Sequence, residues 1–159
     1  MPTADRGWTD YQIDTPPTIT GILLISAGTL TGYEWGSSVL NPYRDIQKLK
    51  PVAFIQDGVF VYDGTFDMRF ATALGHVTRA GDLAAAGQLA SALVEAQAAV
   101  AIDPDELQAQ MVLGDTLTAL GRPLAAKPAY QQALAIAKTM EPSAESIWVK
   151  IIQRKIAGQ

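Results

Sequence analysis

The stretches RAGDLAAAGQLASALVEAQAAVAIDP (Arg79–Pro104) and LGDTLTALGRPLAAKPAYQQALAIAK (Leu113–Lys138) lie 34 residues apart and carry one pattern. Gly87 recurs as Gly121, Leu83 as Leu117, Ala92 as Ala126 and Ala99 as Ala133, while Ala80 is answered by Gly114. Val100 and Ile102 return in kind as Leu134 and Ile136. A fixed period of this length marks a stacked helix-turn-helix unit, which buries its apolar face only against a neighbour. The small residues have a direct role: two helices approach closely only where side chains are short. A bulky side chain at Gly114 or Ala126 is expected to overpack that contact at a cost of roughly 1–3 kcal/mol.

Working outward, the spacing predicts helices over about Met68–Ala86, Gln88–Ile102, a third ending at Leu120, and a fourth from the Gly121 turn to about Met140. Asp103-Pro104 stops the second helix, and Asp105 and Glu106 suit the positive end of the third. Pro128 falls inside the fourth helix, where a missing N–H predicts a kink, with local helix loss as the alternative. Ser143 is placed to cap a last helix whose apolar stripe is Ile147, Trp148, Ile151, Ile152 and Ile156, with Lys150, Arg154 and Lys155 outside it. Two repeats alone are marginal, so this helix is expected to close one end of the array and the preceding hairpin region the other.

Upstream of Asp67 the pattern changes. Thr18–Ser26 has the β-branched, apolar make-up of a strand buried on both faces. Asn41 and Pro42 read as N-cap and first position of a short helix over Tyr43–Leu49, ended by Pro51. Val52–Gln56 and Val59–Tyr62 flank Asp57-Gly58, a hairpin signal. The expected fold is mixed and mainly α. It divides into an extended segment (1–18), a small α/β region (19–66), two repeats (67–142) and a capping helix (143–157).

The chain has 159 residues, 48% of them hydrophobic, and a net charge of -4, so it can bury a core and lacks the clustered cations of a nucleic-acid surface. Residues 1–67 carry eight acidic and four basic side chains against eight of each in 68–159, which puts the negative excess in the first region. Without cysteine there are no disulfides, thiolate nucleophiles or Cys-based zinc sites. The opening MPTADRGWTDYQ holds no apolar signal segment, and the oily run Ile22–Ile25 is far shorter than the roughly 20 residues that span a bilayer. The piece therefore reads as soluble, with no membrane insertion of its own, and its abrupt start fits a part of something longer.

No pattern for a nucleotide, metal or catalytic triad is present. His76, the single histidine, reads as a helix-surface or packed residue, and Asp103, Asp105 and Glu106 as helix stop and start signals. No catalytic, cofactor or metal residue is expected.

The set Ala80, Leu83, Gly87, Ala92, Ala96, Ala99, Pro104, Leu113, Gly114, Leu117, Gly121, Ala126, Tyr130 and Ala133 resembles the tetratricopeptide repeat (TPR) over about residues 73–142. It departs from that pattern at Arg79, where leucine is usual, and at Pro142, which comes four residues late. The resemblance implies a protein- or peptide-binding groove lined by the first helix of each unit: Leu74, Val77, Gly81 and Ala84, then Gln108, Met111, Asp115 and Thr118. Versions that clamp a carboxylate place Lys and Asn at the positions of Val77, Gly81, Met111 and Asp115, so a mildly apolar groove is implied here.

The pieces GILLISAGTLTGY (Gly21–Tyr33), NPYRDIQKLKPVAFI (Asn41–Ile55) and GVFVYDG (Gly58–Gly64) resemble the soluble C-terminal segment of bacterial membrane glycosyltransferases that use polyprenyl- or dolichyl-phosphate sugars. That resemblance implies the extracytoplasmic tail of a membrane-embedded parent, with the sugar chemistry elsewhere. The expected function is a non-catalytic interaction module. The alternatives are a structural spacer or self-association domain, and a carbohydrate-binding or hydrolytic domain. The last would use Trp8, Tyr11, Tyr33, Trp35 and Tyr43 with Asp57, Asp63 and Asp67.

Overall fold

In the computed structural model the described residues are 15–32, 40–56, 58–140 and 142–158, without the side chains of 142–144 and 146. The sheet comes first in the chain, from β1 (Thr18–Ser26), β2 (Ala53–Ile55) and β3 (Val59–Asp67). Its order is β1-β3-β2, antiparallel throughout, with Thr18 opposite Asp67 and Ser26 opposite Val59 along the whole of β1. The β2–β3 hairpin predicted around Asp57-Gly58 is present, although Asp57 itself lies outside the described residues. The second strand runs on past the expected Tyr62 to Asp67, because β1 supplies a partner for every added residue.

The expectation that β1 is buried on both faces is overturned. Its odd-numbered residues Ile19, Leu23 and Ile25 join Tyr62, Phe66 and Met68 in a core, whereas Ile22 and Leu24 are 62% and 59% exposed. The strand stands at the edge of a three-stranded sheet among the described residues, and period-two alternation sends its even positions away from that core. A short helix, α1 (Ala27–Thr31), follows at once, capped by the Ser26 hydroxyl, which accepts from the Thr29 N–H at 3.1 Å.

The helix expected over Tyr43–Leu49 is reduced to turns and a 3-10 segment, Ile46–Lys48. Asn41 does accept from the Tyr43 N–H at 2.9 Å, as a capping residue would. Its amide also donates to the Leu30 carbonyl at 3.2 Å, and Gln47 donates to the same oxygen at 2.6 Å. Two side chains six residues apart held on one carbonyl favour a tight bend over a regular α-helix.

The helical half follows prediction closely: α2 (Arg69–Ala85), α3 (Leu89–Ile102), α4 (Leu107–Ala119), α5 (Pro123–Ala137) and α6 (Pro142–Ala157). Asp67 starts α2 by accepting from the Arg69 N–H at 3.0 Å while its carboxylate holds the Arg69 guanidinium at 2.7 Å. Gly87 and Gly121 turn the chain at φ +76° and +73°, a left-handed conformation in which a Cβ is strained. The two hairpins, α2–α3 and α4–α5, pack side by side, with α2 also lying against α4 and α6 closing onto α5.

The repeated small residues occupy the seams. Ala80, Ala92, Ala96, Ala99, Ala126 and Ala133 are all fully buried. Ile152 is buried on α6 inside the cluster formed by Leu107, Met111, Tyr130 and Ile136, with Trp148 and Ile156 packed against it, so the terminal helix does cap the array. Complete burial of an isoleucine there contributes roughly 1.5–3 kcal/mol. At the other end the expectation is modified. The α/β region meets the start of α2 through Met68 and Ala71, and Leu40 enters the helical cluster beside residues of α4 and α5. Pro128 does not break α5, which runs unbroken from Pro123 to Ala137.

Candidate protein-binding surface

Two of the eight predicted groove residues are structural. Leu74 and Met111 are buried, and Met111 belongs to the cluster that also holds Leu40 and Leu107. The groove floor is therefore filled by the chain's own apolar side chains at that point. Val77, Ala84 and Gln108 are half-buried, and Gly81 and Thr118 are exposed. Positions 77, 81 and 84 fall on one face of α2 at helical spacing, as 108, 115 and 118 do on α4, and the two helices pack against each other. A Cβ built at Gly81 meets nothing within 4 Å, so the surface there is open.

Asp115 is tied to neighbouring helices, with its side chain 45% exposed. The Tyr130 hydroxyl donates to its Oδ1 at 2.6 Å and the Lys155 ammonium contacts the same oxygen at 2.6 Å. Burial, then the hydrogen bond to Asp115, pushes the Tyr130 phenol up to about 12. This arrangement links α4, α5 and α6 at one carboxylate. Lys155, expected outside the stripe of α6, is thus a structural contact that sequence reading missed. Its only sign was a cation at the edge of an apolar helix face.

The remaining candidates resolve locally. His76 Nδ1 lies 2.7 Å from Glu95 Oε2, a packed contact between α2 and α3, with Arg79 4.0 Å from the other oxygen. Asp103 accepts from the Asp105 N–H at 3.2 Å, and Glu106 accepts from the Ala109 N–H as the cap of α4. Asp63 is exposed on the sheet and Asp67 is committed to Arg69, whose hydrogen bond holds its carboxyl below the usual range. Of the aromatic patch, Tyr43 packs against the sheet core, and Trp8, Tyr11, Tyr33 and Trp35 lie outside the described residues. Among the described residues no group of three or more His, Asp or Glu is placed to hold a metal ion, and no helix is long and apolar enough to cross a membrane.

Three features were not foreseen. An open cleft of about 440 Å³ lies at the α5 C-terminus, lined by Arg44, Asp105, Gln132, Ala135, Ile136 and Thr139. The outward sheet face is apolar at Ile22, Leu24, Val61 and Ile55, with Leu24 opposite Val61 and Ile55 opposite Val59. Glu106 is wholly buried, its Oε1 has no hydrogen-bond partner, and burial pushes its carboxyl up to about 7. Comparison with family models, with curated proteins and with solved structures finds no match.

Proposed function

We propose that this chain is a non-catalytic protein-binding module of TPR type, which receives a peptide or protein segment on the open face of α2 and α4. The observation that carries the reading is the packing of α2 against α4, the first helices of two hairpins with small buried residues in their seams, with open space over Gly81. On these two helices Gly81 and Thr118 are exposed and Val77, Ala84 and Gln108 are half-buried. Short side chains make such a face accessible to a partner's backbone, and Asp115, the one ionisable residue of the predicted eight, is paired with Lys155. A photo-crosslinking residue at Gly81 or Gln108, compared with one at Val94 on α3, tests this in cells that make the chain. One discrete adduct from the first two sites and none from Val94 is the expected result; equal adducts from all three would overturn it.

We further propose that the module is the tail of a larger membrane-associated glycosyltransferase, a context suggested by the resemblance of Gly21–Gly64. The coding sequence tests this part separately. Several apolar spans encoded just upstream are expected, and a native start at Met1 with no such neighbour would contradict it.

Self-association is the second reading, favoured by the exposed outer face of the sheet. Isolated exposed apolar side chains are ordinary, but a contiguous set marks a surface that associates. Sedimentation at rising concentration separates the two, since a chain that stays monomeric at high concentration excludes this use of the face.

A further inference from the structure

Glu106 is the one buried side chain among the described residues with an oxygen that has no hydrogen-bond partner. It caps α4 and is entirely inaccessible, and the turn it begins is buried with it: Leu107, Ala109, Gln110 and Met111 are all core residues. Leu40 belongs to the same apolar cluster as Leu107 and Met111, and Arg44 lines one cleft with Asp105. The seam between the 40–44 segment and the start of α4 is therefore closed over a carboxyl group.

A carboxylate in this position retains one oxygen without a protein donor in the interior, which costs several kcal/mol unless the group stays neutral or reaches water. We propose that Glu106 is a proton-operated latch, whose neutral carboxyl keeps this seam closed and whose ionisation loosens it locally. The charged groups acting on it are Asp103, from the α3–α4 turn, which opposes ionisation, and Arg44, across the seam, which favours it. Asp103 is itself held up by burial, against the pull of Arg44 and Arg69. The N–H groups of Gln108 and Ala109 also favour the charge, and burial outweighs them. The resulting value of about 7 places the transition near neutrality.

The test is hydrogen exchange on the full chain at pH 5.5 and 8, with labelling times adjusted for intrinsic exchange, for the natural chain and Glu106→Gln. Protection over 107–111 and 40–46 is expected to fall about tenfold or more at the higher pH. Protection over 92–99 in α3 should hold, and Glu106→Gln should abolish the difference. Parallel behaviour of the two chains, or an equal loss across all helices, would overturn the latch. If Glu106→Gln does not fold, carboxyl-carbon NMR of the natural chain decides. A Glu106 midpoint near neutrality, moving with the amide signals of 107–111, supports the latch. A midpoint in the ordinary carboxylate range, or amides that do not move with it, contradicts it.

Discussion

The ring of Tyr130 lies directly over Gly114: a Cβ at that glycine would stand 2.6 Å from Cε1. The equivalent positions of the first repeat hold Ala80 and Ala96, both fully buried. One hairpin thus joins its helices with a large residue against none, and the other with two small ones. Gly114→Ala should cost about 1–3 kcal/mol by overpacking. In a Tyr130→Ala background the same change should turn stabilising, by up to about 1 kcal/mol, because the clash is gone and alanine is the better helix former. Urea unfolding of the four chains in the cycle measures both signs.

Pro128 lies exposed within an unbroken α5, four residues after Leu124, which is 89% exposed. The proline leaves the Leu124 carbonyl without its helical N–H donor, and water meets that group at no gain to folding. Pro128→Ala is expected to raise stability by about 1–3 kcal/mol. Thermal unfolding checks it, and a lower melting temperature would show that the proline shapes the helix to fit its neighbours.

Stability should fall as pH rises through the range set by Glu106. Its carboxyl titrates near 7 when folded against an ordinary 4.5. The folded state therefore holds the extra proton between these values, and the stability it confers is complete below about 4.5 and lost as pH climbs through 7. The full span corresponds to roughly 3 kcal/mol. Melting curves from pH 5 to 8 should show the natural chain losing ground relative to Glu106→Gln.

The Tyr130–Asp115–Lys155 contact ties three helices at one oxygen. Tyr130→Phe keeps the ring over Gly114 and removes only the donor, so a loss of about 1 kcal/mol is expected. Chemical denaturation gives the number; a loss as large as that of Tyr130→Ala would mean that the hydroxyl, and not the ring, holds the seam.

Most of the helical half was legible because its determinants are local. Gly87 and Gly121 announce their turns, Asp103-Pro104 its stop, and the 34-residue recurrence names the positions that must be small. Legibility failed where the deciding partner was distant in sequence. Nothing near Thr18–Ser26 says that only one sheet face meets a core, and nothing in Tyr43–Leu49 shows that Asn41 and Gln47 will both be drawn to the Leu30 carbonyl. At the candidate surface, helical spacing named Gly81 and Thr118, which are exposed, together with Leu74 and Met111, which are buried. It could not reveal that Leu40 would join Met111 in one core or that Lys155 would cross to Asp115 from another helix.

The outer face of the sheet gives a separate expectation. Ile22→Lys with Leu24→Lys places two charges on exposed positions of β1, so folding should change little while any concentration-dependent association is lost. Light scattering beside circular dichroism distinguishes that outcome from simple unfolding.

Binding of a protein partner to the face of α2 and α4 is the proposal on which the functional reading depends. Its most direct measurement is calorimetric titration of the partner identified by crosslinking against the natural chain, Gly81→Arg and Val94→Lys. Gly81 has open space for the new side chain and Val94 is exposed on α3, so neither change disturbs the core. Binding at least tenfold weaker for Gly81→Arg and unchanged for Val94→Lys is expected. Equal affinity for all three chains would contradict it.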